Sequence, residues 1–122
     1  MRMYVNAETA NQLDRGILSG LGGWATFDDP ARSIAQMRQN MALSETFRGK
    51  APSDGPFYVV ELQVTKPMEV NVGFVGPQTD IPNAFAGAKY YTGGGTQIQI
   101  IDFKNRTDYV KIVTPPKKVG GP

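Results

Sequence analysis

At 122 residues, with 40% apolar and 20% charged residues, the chain is long enough for one domain with a core and wrong in composition for a disordered segment. Its net charge of +2 comes from mixed acids and bases, without the dense basic stripe interleaved with aromatics that nucleic-acid binding requires. Cysteine and histidine are absent, which excludes a disulfide framework, thiolate chemistry, a Ser-His-Asp triad, a histidine-based ribonuclease pair and a His or Cys zinc site.

Any catalysis must therefore run on carboxylates, amides, hydroxyls, arginines or a bound substrate's own reactivity. The apolar runs are too short to span a bilayer, and no charged-then-apolar start reads as a signal peptide. The absence of cysteine suits a domain that must cross a membrane unfolded. Near the end, Lys104, Arg106, Lys111, Lys117 and Lys118 outnumber Asp102 and Asp108, which reads as a solvated terminal face.

In chain order, "RMYVNA" (Arg2 to Ala7) alternates as a first strand. "ETANQLDRGIL" places Ala10, Leu13, Ile17 and Leu18 on one side of a short helix that Gly16 or Gly20 ends. "SGLGGWATF" turns into a brief strand, Trp24 to Phe27. "DDPARSIAQMRQNMAL" predicts a helix from Pro30 to Leu43, with Asp28 or Asp29 as its cap and Ile34, Met37 and Met41 at helical spacing. A polar loop follows, "SETFRGKAPSDGP". "FYVVELQVTKPMEVNVGFV" reads as one long or two short strands, with a strand over Phe57 to Val64 and a break at Pro67. "GPQTDIPNAFAGAKYYTGGG" is a long loop, and loops of that length are usually functional or disordered. "TQIQIIDF" (Thr96 to Phe103) and "DYVKIVT" predict two strands joined as a hairpin through "KNRT". The order is α+β with a mostly antiparallel second half, one domain over 1–114 and a flexible tail over 115–122.

Three places offer chemistry. In "TGGGTQIQI", Gln97 and Gln99 share a face with Ile101, while Thr96, Ile98 and Ile100 take the other. An ordinary two-faced strand explains that alternation, but Gly93 to Gly95 leave room for a ligand or another strand to approach closely. This is not a phosphate-binding P-loop, because no Lys-Ser/Thr follows the glycines. In "GGWATF", Gly22 and Gly23 allow close approach, and Trp24 and Phe27 offer either stacking faces or core. Arg15, Arg32 and Arg38 serve either as a phosphate clamp or as surface arginines, and Tyr90 and Tyr91 either stack on a ring or pin the loop. The carboxylates form no acid/base pair: Asp28 and Asp29 read as caps, Glu61 lacks a marked partner, and Asp14, Asp54 and Asp80 have no metal-loop spacing.

With these segments in view, the chain resembles the toxin domains built on the ADP-ribosyltransferase scaffold, most closely the NAD glycohydrolases related to tuberculosis necrotizing toxin. The resemblance covers Met3 to Asp102 and rests on "LDRG", "GGWATF" before an Ala-rich helix, "YVVELQVTKPMEVNVGFVGP" and "GGGTQIQI". Of these, only Gly-Gly-Gly-Thr-Gln is specific.

The resemblance implies two small, mostly antiparallel sheets around an NAD cleft, with N-terminal helices. It implies that Gln97 stands where transferases carry a catalytic glutamate. Arg15 would handle the phosphates, Trp24 and Phe27 would flank the nicotinamide half, and Tyr91, Gly94 and Gly95 would complete the dinucleotide site. The implied activity is cleavage of the nicotinamide–ribose bond, with NAD as substrate and neither metal nor cofactor. Gln in place of Glu favours hydrolysis over transfer, because an amide cannot act as a carboxylate base. The implied context is a secreted or delivered toxin, the C-terminal part of a larger protein, acting as a monomer in a target cell's cytoplasm. It would be neutralised by an immunity protein, with no nucleic-acid or membrane partner. Where many transferases carry Tyr-Arg on the first strand, this chain has "RMYVN", which leaves Arg2 without an assigned role. An ADP-ribosyltransferase and a non-enzymatic β-rich binding module are the competing readings.

Overall fold

The computed structural model describes residues 1–41, 56–76, 78–80, 89–91 and 93–120, with 78–80 and 89–91 described by backbone alone. Its elements are β1 (Arg2–Asn6), α1 (Ala7–Asp14), β2 (Trp24–Ala25), α2 (Ile34–Met41), β3 (Phe57–Val64), β4 (Val70–Phe74), β5 (Gln78–Asp80), β6 (Lys89–Tyr91), β7 (Thr96–Ile100) and β8 (Val110–Lys118). A 3-10 segment, Phe103–Tyr109, separates the last two strands. The fold is α+β, as expected.

Two three-stranded antiparallel sheets, ordered β1-β3-β8 and β2-β7-β4, make up most of it. They meet where Arg2 and Thr26 exchange backbone hydrogen bonds of 2.8 and 2.9 Å. The core lies between them. Met3, Val5, Val60, Leu62 and Val110 from the first sheet pack with Ala25, Ile98 and Ile100 from the second. Ala10 and Leu13 of α1, with Leu21, close the gap. Full burial of a Val, Leu or Ile side chain is worth about 1.5–3 kcal/mol, so the two-residue alternation in β3 and β7 is enough to decide which face of each strand turns inward.

Local chemistry sets the helix ends. Asn6 caps α1 by accepting from the Thr9 N–H at 2.8 Å. At the other end Gly16 takes φ +78°, its N–H donates to Leu13 and the Ile17 N–H donates to Gln12, a Schellman arrangement. The second helix starts at Ile34 and not at Pro30. Ser33 is the cap: its Oγ accepts from the Gln36 N–H at 3.0 Å, while the Gln36 side chain accepts from the Arg32 N–H at 2.7 Å. Asp28 is drawn away from the helix to β7, as described below. Ala42 and Leu43, also expected in this helix, lie outside the described residues, as does most of the polar loop after it.

Further on, β3 matches its predicted span, and Pro67 falls in the gap before β4. The expected long loop contains the β5–β6 antiparallel pair. The strand expected over Thr96 to Phe103 ends at Ile100, and the expected hairpin is absent, because β7 and β8 belong to different sheets. Asp102 is the reason. Its carboxylate accepts from the Asn105 side chain at 3.1 and 3.2 Å and from the Tyr109 hydroxyl at 2.9 Å, coiling the chain there. β8 then runs to Lys118, past the residue-114 boundary expected for the folded part. Pro115 and Pro116 are tolerated because β8 is an edge strand with a register shift opposite Val59 and Glu61. Val119 is buried and donates to the Phe57 carbonyl at 2.8 Å.

Candidate functional site

The three glycines before β7 pack against the protein's own backbone. The Gly93 and Gly95 N–H groups donate to Gln39 O and Asn40 O at 2.7 and 3.0 Å, satisfying carbonyls in the last turn of α2. Gly94 donates to Val75 O at 2.9 Å. Gly93 (φ +70°) and Gly94 (φ +95°) both hold left-handed conformations. A Cβ on Gly93 would collide with the Val75 carbonyl, and one on Gly95 would stand 3.0 Å from Asn40 O and 3.1 Å from an Asp28 oxygen. Gly94 alone is exposed, with open space where a Cβ would be.

A polar circuit fixes the first residue of β7. Asp28 accepts from the Thr96 N–H at 2.8 Å and the Thr96 hydroxyl at 3.0 Å. Thr26 and Thr96 hydroxyls lie 2.8 Å apart, the Phe27 N–H donates to the Thr96 oxygen at 3.0 Å, and the Asp28 N–H donates to the Thr26 oxygen at 3.1 Å. The carboxylate fixes the direction of the circuit. An ionised Asp28 only accepts, so Thr96 donates to it and Thr26 donates to Thr96. Every hydroxyl proton then has one partner, and Thr26, 1% exposed, needs no water. Hydrogen bonds to a charged group contribute about 1.5–3 kcal/mol each, so the register of the residue before Gln97 is firmly held.

The face of β7 away from the core is different. Gln97 and Gln99 are half-buried there, while Ile98 and Ile100 point inward at 1% and 4% exposure. Cross-strand registry sets Trp24, Gln99 and Asn71 in one row and Gln97 opposite Gly73 in the next. With Val72 and Phe74 these residues line an open cleft of about 210 Å³. No described lining residue is charged. Asn71 Nδ2 donates to Gln99 Oε1 at 3.3 Å. Gln97 makes no side-chain hydrogen bond to a described residue. Trp24, at 50% exposure, is a wall of the cleft and not a core residue.

The structure thus brings Gln97 and Trp24 together. Phe27 is exposed beyond the end of β2 and is not among the lining residues. Arg15 is exposed at the end of α1, and Arg32 is exposed before α2. Arg38 is buried, with its guanidinium 5.3 Å from the centre of the Phe57 ring. None of the three lines the cleft. Tyr91 lies in β6, and its side chain is outside the described residues. Arg2 now has a role: it donates to the Phe27 and Asp28 carbonyls at 3.4 and 3.0 Å and faces Glu61 at 3.7 Å.

Sequence reasoning set Gln99 on the same face as Gln97 but missed Asn71 and Gly73 as lining residues. The alternation in "VNVGF" marks Asn71 and Gly73 as sharing a face, but not which face is open. The approach to Trp24 is held from behind. The Arg106 guanidinium donates to Leu21 O and Ser19 O and lies 4.0 Å from the Phe103 ring centre, and Phe103 packs on Gly23. Below it, the Asn105 and Tyr109 hydrogen bonds hold the Asp102 carboxyl below its usual pKa, and the same contact pushes the Tyr109 phenol up. No family model matches the chain, and neither a curated protein nor a solved structure matches it.

Proposed function

We propose that this chain is an NAD glycohydrolase of the ADP-ribosyltransferase-like toxin class, with the Trp24–Gln97 cleft as its nicotinamide end. One observation carries the reading: Gln97 is half-buried on a cleft floor that has no charge among its described residues, its amide uncommitted, with an aromatic wall beside it and a bare Gly73 across the sheet. In NAD the nicotinamide is a cationic leaving group and needs no proton. Its C–N bond to ribose breaks with both electrons going to the ring, which leaves as neutral nicotinamide. Positive charge grows on the sugar as an oxocarbenium-like centre, and water attacks and loses its proton to solvent. The protein's part is placement and electrostatics, for which an amide suffices. The Gln97 oxygen accepts from a ribose hydroxyl and faces the growing positive charge.

The described lining holds no carboxylate, which supports hydrolysis over transfer to a protein nucleophile. It also holds no cation for the pyrophosphate, so backbone donors or residues beyond the described lining must serve there. The test is incubation of the purified chain with NAD. Free nicotinamide and ADP-ribose in equal amounts, with no labelled macromolecule, is the expected result. Labelled protein would favour the transferase, and no nicotinamide release would sink the enzyme reading in favour of a binding module.

A further inference from the structure

We infer that Gln99 and Asn71 form a carboxamide-recognition pair that reads the amide of a nicotinamide ring stacked on Trp24, an inference that rests on the NAD reading of the cleft. The three residues are direct cross-strand neighbours: Trp24 pairs with Gln99, and Gln99 with Asn71, so their side chains leave the same face of the sheet side by side. All three line the cleft.

The chemistry follows from counting donors and acceptors. Asn71 Nδ2 donates to Gln99 Oε1 at 3.3 Å. That bond uses one N–H of Asn71 and one lone pair of Gln99, leaving the Gln99 amino group wholly free to donate and the Asn71 oxygen wholly free to accept. The count survives inversion of the amides. If Gln99 donates to Asn71 instead, Gln99 keeps its oxygen and Asn71 its amino group. Either way the pair presents one wholly open amino group and one wholly open oxygen, which is the complement of a primary carboxamide. A carboxylate in the same place offers only acceptors, so the open amide oxygen of the pair is left without a donor and faces a negative charge. No charged residue of the described lining offsets that penalty. The open face of Trp24, meanwhile, suits a cationic pyridinium ring, a contact that strengthens binding more than rate.

Adenine also offers a donor beside an acceptor, and spacing decides between the two rings. Gln97 and Gln99 are two residues apart on one strand face, about 7 Å. That reaches from a nicotinamide carboxamide to the hydroxyls of its own ribose. Adenine, across the pyrophosphate, is too far from the bond being broken for both glutamines to serve it. Opposite Gln97, Gly73 has open space where a Cβ would point, leaving room for the sugar.

The experiment compares kcat/KM for NAD and for its nicotinic acid counterpart, in wild type, Gln99→Ala and Asn71→Ala. Taking the ratio of the two substrates and comparing it between variants cancels their intrinsic difference in reactivity. Loss of one matched hydrogen bond corresponds to about a tenfold fall in the NAD preference in each variant, carried mainly by KM for NAD. An unchanged ratio in both variants overturns the pair while leaving the glycohydrolase reading intact. Trp24 is the only tryptophan, so its fluorescence supplies a readout independent of turnover. Saturable quenching by nicotinamide, weaker with nicotinate and lost in Gln99→Ala, is expected. The same pattern in a chain that cleaves no NAD would keep the pair and overturn the glycohydrolase. Saturable quenching by adenosine but not nicotinamide, or by neither, overturns the pair.

Discussion

In the β1-β3-β8 sheet, polar side chains on the face away from the core are committed to partners within the fold: Arg2 faces Glu61, Glu61 accepts from Thr114 at 3.2 Å, and Tyr4 accepts from the backbone N–H of Ala31 at 2.9 Å. In the β2-β7-β4 sheet the corresponding face carries Trp24, Gln97, Gln99 and Asn71, with a single hydrogen bond among them. Both sheets hide apolar residues on one side. The first also commits its polar side to structure, whereas the second leaves hydrogen-bonding capacity open beside an aromatic ring. Polar substitutions should accordingly cost stability in the first sheet and turnover in the second.

Gln97→Ala is the sharpest way to break that contrast. Losing one preorganised contact to a transition state costs about a hundredfold in rate, so NAD cleavage should fall by about that factor while thermal stability barely moves. Wild-type turnover in this variant would remove Gln97 from the mechanism. In the other sheet Arg2→Met should do the reverse. The guanidinium serves two carbonyls and a partly exposed carboxylate, and its loss should destabilise by about 2 kcal/mol, read by urea unfolding. An Arg2→Met protein as stable as wild type, but inactive, would move Arg2 into the cleft chemistry. Gly73→Val tests whether the second face is open at all. Nothing lies within 4 Å of a Cβ there, so the strand should accept valine without clash. The side chain would fill the sugar's place and lower kcat/KM about tenfold or more. Unimpaired turnover would show that the substrate does not cross Gly73.

The alternation of Gln97 and Gln99 against Ile98 and Ile100 was legible in the sequence, because burial enforces a two-residue period. The end of α1 was legible too, since the glycine it requires is next to it in the chain. Asp28 was not. A carboxylate before a proline looks the same whether it caps the next helix or reaches Thr96, 68 positions away. The glycines were half legible: they do permit a close approach, but what approaches is the end of α2 and the Val75–Gly76 backbone. Pro115 and Pro116 read as the start of a tail, since sequence does not reveal that β8 is an edge strand.

The smallest expected effect tests the scaffold beneath Trp24. Asp102 has a lowered pKa, so its ionised form is favoured by folding. Its contribution is present above the ordinary value of 3.8 and is lost as pH falls through the lower folded value. Tyr109 has a raised pKa, so its contribution is present below 10.0 and is lost as pH rises through the higher folded value. In Asn105→Ala the acid edge of a thermal-stability profile should move toward neutral pH by a small, measurable amount. An unmoved edge would show that the Asp102 cluster does not contribute to the fold.

The Asp28–Thr96 contact has a consequence for biosynthesis. The start of β7, which carries Gln97, is held by groups from residues 26–28, 39–40, 75 and 93–96. A chain emerging from a ribosome can form α1 early, from neighbours alone. It cannot set the position of Gln97 until Thr96, 68 residues after Asp28, has been made, and loops this long close slowly. A protein truncated before Thr96 would keep the local contacts of α1 but have neither Gln97 nor the hydrogen bonds that place it, so the arrangement delays the site until β7 has been made.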